Sequence, residues 1–160
     1  MRWRVLLISA VIFALGGRGI FADEAKVRKV LVQLLDAKGR NALHPSLFDR
    51  DAYQAYLRKH PKEQSGVRFF VEWTAEKAHQ KGLLLRIEIR GIRAAEEGSK
   101  TRDFKTLSLE TPIIRRGWYG TWTTLTLDEE RFRAFGEIVA WHATIWDGVR
   151  MVAEQKSFLW

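Results

Sequence analysis

Leu83-Leu-Leu-Arg-Ile-Glu-Ile-Arg90 sets Leu83, Leu85, Ile87 and Ile89 on one side and Arg86, Glu88 and Arg90 on the other. Side chains on an extended strand point alternately to opposite faces, so this period of two describes an antiparallel strand with one face in a core and one in water. A helix would scatter the same residues around its circumference. A chain carrying such a segment must find other apolar faces to cover it, and the rest of the sequence supplies them in the same period.

Val67-Arg-Phe-Phe-Val-Glu-Trp-Thr74 places Val67, Phe69, Val71 and Trp73 together. Phe104–Glu110 and Thr121–Leu127 read as further strands, and Glu137–Ile145 as another, with Val139, Trp141, Ala143 and Ile145 inward. Asp147-Gly148 is a strong hairpin signal, so Val149–Trp160 reads as the last strand. Its apolar end, Ser157-Phe-Leu-Trp160, is expected to be buried or to dock on a partner. Residues 27–35 read as the first strand, closed by the Asp36-Ala-Lys-Gly39 turn, although Val27, Val30 and Leu34 also fit the spacing of a helix. Residues 91–103 and 111–120 read as connecting segments, and 128–136 as a helical turn or corner ending in Gly136.

One segment breaks the pattern. Asp49 is a candidate N-cap, Ala52, Tyr53, Tyr56 and Leu57 share a helical face, and Arg58, Lys59 and His60 close the last turn before Pro61. This predicts a short helix over about 50–59, inserted between the first two strands, with Tyr53 and Tyr56 as a partner surface. The expected fold is therefore all-β: a two-layer antiparallel immunoglobulin-like β-sandwich of about seven strands with one short inserted helix.

The N-terminus carries an address. Arg2 and Arg4 precede an apolar run of about eleven residues, Val5–Leu15, and small residues lead to Ala22. That is the order of a secretory signal peptide, whose apolar region spans roughly 7–15 residues. The run is short of the about 20 apolar residues that cross a bilayer. We expect cleavage after Ala22, no stable membrane span thereafter, and a periplasmic or secreted domain over residues 23–160. Arg2, Arg4 and Arg18 leave with the leader, so 24 basic residues face 19 acidic ones, a net charge of +5. The chain has no cysteine, which excludes disulfides, thiolate metal sites and a lipid-bearing Cys.

Catalytic motifs are lacking. No serine lies in a Gly-x-Ser-x-Gly elbow, no Gly-rich phosphate loop is present, and no His-x-x-x-His pair occurs. His44, Asp49 and Asp51 form the one local cluster of metal-ligand types, more simply a Pro turn and a helix start. Glu72, Glu88, Glu137 and Asp147 read as outer-face acids. No cofactor is implied, and nucleic acid is not expected as a partner.

The segment that stands out is Ile113–Trp122, where Arg115, Arg116, Trp118, Tyr119 and Trp122 crowd together beside two glycines. Aromatic faces next to guanidinium groups suit sugars and anionic polymers. The simpler reading of Trp118 and Trp122 is as core plugs, since large aromatics are mostly buried. The expected function is a non-catalytic binding or structural domain of the cell envelope, recognising an acidic glycan or an exported protein. The alternatives are an accessory or chaperone-like subunit acting by strand-edge pairing, and a small metal-dependent enzyme.

Over about 27–160 the chain resembles the broad immunoglobulin-like and fibronectin-III-like group in architecture. The Phe132-Arg-Ala-Phe135-Gly136 turn is similar to the corner before the sixth strand of such domains, with Phe where they carry Tyr. The half-cystine pair is missing, and Trp73 and Trp141 are expected to fill the core instead. The Trp146-Asp-Gly148 hairpin and the Ser157–Trp160 tail are similar to those of uncharacterised secreted bacterial proteins, a resemblance that implies no activity.

Overall fold

In a computed structural model, residues 25–75, 82–92, 104–113 and 121–160 are described. The expected leader, residues 1–22, lies outside them, as do Arg115, Arg116, Trp118 and Tyr119. Seven strands form two antiparallel sheets: β1 (Ala25–Asp36), β2 (Gln64–Ala75), β3 (Leu83–Ile92), β4 (Phe104–Pro112), β5 (Thr121–Leu127), β6 (Glu137–Asp147) and β7 (Arg150–Lys156). The order is β1-β2-β5 in one sheet and β4-β3-β6-β7 in the other. Helix α1 (Leu47–Lys59) lies between β1 and β2, and α2 (Glu129–Phe135) between β5 and β6.

The sheets face each other through the residues that the period of two selects. Val67, Phe69, Val71 and Trp73 from β2 meet Leu83, Leu85, Ile87 and Ile89 from β3, all at most 1% exposed. Leu109, Leu125, Leu127, Ala143 and Ile145 complete one contiguous cluster. Each large side chain removed from water here contributes about 2 kcal/mol. Trp73 is fully buried and its indole N–H donates to Thr123 Oγ1 at 2.9 Å. Trp141 packs against the cluster while half-buried, so both expected tryptophans serve the core.

Three expectations are corrected. Helix α1 begins a turn earlier than residue 50. Ser46, not Asp49, is the N-cap, and Asp49 lies in the first turn, its N–H donating to the Ser46 hydroxyl. A carboxylate there still meets the positive end of the helix dipole. In β6 the ladder slips between Arg90 and Gly91, where Arg90 pairs with Ala140 and Gly91 with Ile138. The extra residue is Val139, and Ile138 packs on the core in its place. The Tyr53 hydroxyl donates to Asp36 Oδ2 at 2.8 Å. Finally, β7 stops at Lys156. Ser157 makes a last pair with Trp141, and Phe158 and Leu159 then stand 101% and 68% exposed, so these two residues are not buried in the sandwich.

Candidate functional site

Trp122 is the one described member of the sequence-derived binding set, and it is not in the core. It pairs with Glu72 across β2–β5, points to the outer face, and is 48% exposed. Its neighbour Thr121 is buried and donates to the Trp73 carbonyl at 3.1 Å. Ile113, the last described residue before Thr121, is also buried, with its N–H on the Leu83 carbonyl at 2.9 Å. The chain therefore leaves one sheet at Ile113 and joins the other at Thr121, at one end of the sandwich. The β6–β7 hairpin closes at this end too, because Leu83 pairs with Asp147. Its Val149 is 97% exposed and Met151 45%. Ala25, the first described residue, pairs with Ala75, two residues past the Trp73 that pairs with Thr121.

A second constellation covers the outer face of the four-stranded sheet, where alternation puts the charged residues of β3. The Arg86 guanidinium lies 4.9 Å from the centre of the Trp146 ring and bonds Glu110 Oε1 at 2.6 Å. Arg90, four residues along and so about 13 Å away, lies 3.9 Å from the Trp160 ring. Between them, His142 presents Nε2 to Glu154 Oε2 at 2.7 Å and Nδ1 to Glu88 Oε2 at 3.5 Å. The Trp160 ring lies 5.1 Å from the imidazole, whose side chain is only 15% exposed. His142 thus points away from the core as its alternation requires, but it is enclosed by two carboxylates and an indole. Nothing local in the sequence marked Trp160 as its cover, because the contact depends on the turn after β7.

A third cluster holds α1 to the end of β1. Gln54, 4% exposed, accepts from the Leu34 N–H at 2.8 Å and donates to the Leu34 carbonyl at 2.9 Å and the Asn41 carbonyl at 2.8 Å. Its amide completes an edge strand as a neighbouring peptide would. Asp36 accepts from the backbone N–H groups of Lys38 and Arg40, from the Arg40 side chain and from Tyr53. Burial alone would raise its pKa; these donors outweigh it and hold the carboxyl down at about 2. The same partnership raises the Tyr53 hydroxyl, with burial the larger cause. Sequence reasoning missed both Asp36 and Gln54. The Asp-Ala-Lys-Gly turn was the available signal for the first, since an Asp at a turn commonly accepts from N–H groups two to four residues on.

The His44, Asp49 and Asp51 cluster is dispersed in role. His44 is exposed ahead of the helix, and Asp51 pairs with Arg50 at 2.9 Å. Among the described residues no group of three or more His, Cys, Asp or Glu side chains is placed to hold a metal ion. Comparison with family models, curated proteins and solved structures finds no match to this chain.

Proposed function

We propose that this chain is an exported domain of the cell envelope that works by binding, and that it takes an acidic glycan at the end of the sandwich where Trp122 stands. The observation that carries the reading is the position of Trp122: an indole 48% exposed on a sheet face, where packing does not require it. Arg115, Arg116, Trp118 and Tyr119 belong to the same stretch of sequence and supply the cations and further rings. Stacking of rings on sugar faces, with guanidinium groups on carboxylates, is the chemistry that set would perform. The three-plus-four strand order supports placing the domain beside immunoglobulin-like and fibronectin-III-like sandwiches, which carry ligands on loops and sheet faces. The expected leader supports the compartment, and mass analysis of the exported chain, beginning at Asp23, would test it.

The binding test is tryptophan emission of the chain titrated with polygalacturonate at low and high salt. A saturable shift, weakened by salt and lost in Trp122→Ala and in Arg115→Ala/Arg116→Ala, is expected. Folded protein with no shift removes the reading and directs the search to protein partners.

A further inference from the structure

Among the described residues four strands end the two sheets, and three of them are guarded. β1 has a bulge between Val27 and Lys29, three cations in its first half, and Gln54 on Leu34. β7 opposes a register shift at Ile145/Trp146 and carries Arg150, Glu154 and Lys156. β4 carries Lys105, Glu110 and, at its end, Pro112. Bulges, charges and prolines are the devices by which natural sheets refuse a further strand. β5, Thr-Trp-Thr-Thr-Leu-Thr-Leu, has none of them: no charge, no proline, and an unbroken register on β2.

Among the described residues no strand pairs with the far side of β5. A groove of about 310 Å³ runs between it and β4, lined by Ser108, Glu110 and Thr111 on one side and Thr124 and Thr126 on the other. Leu109 and Leu125 form its floor, 7% and 5% exposed. Arg131 from α2 completes the lining. The groove's one acid, Glu110, is held by Arg86, and among the described residues no carboxylate pairs with the Arg131 side chain.

We propose that the free edge of β5 accepts one extended segment of another polypeptide, added antiparallel or parallel as a fourth strand, with an acidic side chain of that segment on Arg131. Main-chain hydrogen bonds to the edge supply affinity, and the hydroxyl-lined groove with its cation supplies selection. This does not depend on what the Trp122 end binds, and a failed glycan titration leaves it standing.

The probe is a fluorescent seven-residue peptide of alternating valine and threonine with a central glutamate, measured by anisotropy against the full chain. A second peptide carries lysine in place of the glutamate. Saturable binding of the first is expected, weakened roughly five-fold by Arg131→Glu, as suits one partly screened ion pair. The lysine peptide should show the reverse preference. Hydrogen exchange should slow at β5 amides on peptide addition and remain unchanged at β1 and β7. The proposal is overturned by absence of binding, by equal affinity of both peptides for both proteins, by protection that maps to another strand, or by a dimer of this chain that protects β5 and excludes the peptide.

Discussion

Asp36 shows how much one buried charge can organise when every lone pair is used. Its carboxylate ties a four-residue turn to α1 through Arg40 and Tyr53. The group's ordinary pKa is 3.8 and its folded value about 2, so the folded state binds this proton less readily than the unfolded chain. The resulting stabilisation, about 2 kcal/mol, is complete above roughly pH 5 and is lost as pH falls through 4 towards 2. Thermal melts from pH 6 to pH 2 should show that loss in the wild type and not in Asp36→Asn, which should already be destabilised at neutral pH. Parallel pH dependence in the two proteins would assign the acid sensitivity elsewhere. Gly66 makes the opposite point, that a position can matter for what it lacks. A Cβ there would lie 2.5 Å from the Leu127 carbonyl oxygen, and that backbone atom can move away only if the end of β5 shifts off β2. Gly66→Ala should cost about 2 kcal/mol or more in urea unfolding; a neutral substitution would mean that β2 and β5 separate more readily than their pairing implies.

At the scale of elements, α1 acts as a guard more than as a core helix. Its buried contacts are Gln54 and Leu57, and much of its remaining surface faces water, including Leu47 and Phe48 at 67% and 81% exposure. Gln54→Leu keeps the size of the side chain but strips the Leu34 N–H, the Leu34 carbonyl and the Asn41 carbonyl of their partner. Unsatisfied buried groups are costly, so a loss of about 2–4 kcal/mol is expected from urea titration. Concentration-dependent association through β1 should appear in sedimentation, since that edge would then be partly unguarded. A variant that stays fully stable and monomeric would show that the carbonyls find water and the edge needs no cap. The elements themselves were legible where a single period governed them: β2, β3 and β5 follow directly from alternation. The start of α1 was not, because Ser46 and Asp49 are both good caps and only the path of the chain out of Pro45 selects between them.

For the whole molecule, legibility ends where partners are remote. Val139 satisfies the inward period of β6 but yields to Ile138, because a bulge is set by the neighbouring strand rather than by the local sequence. The Ser157–Trp160 tail reads as a strand by composition, yet it turns back so that Trp160 lies over Arg90 and His142. Trp122 was legible as a candidate and undecided as to face until its register opposite Glu72 was known. The two-sheet architecture survives all of these local departures because the four inward runs of β2, β3, β5 and β6 agree with one another.

The strand order also carries a consequence in time. β1–β2, β3–β4 and β6–β7 are each joined by neighbouring sequence, but the sheets are completed by β2 with β5 and by β3 with β6. Val67 meets Leu127 and Leu85 meets Ile145, partners about 60 positions apart. Chain entropy must be surrendered over those long loops before the contacts that repay it exist, so folding should be slow for a chain of this size, in milliseconds to seconds. Stopped-flow refolding followed through the burial of Trp73 would measure it, and a microsecond phase carrying the full amplitude would contradict it. Until those pairings close, β5 waits with neither edge paired, and that interval is when a chain of this topology is most exposed to joining the wrong strand.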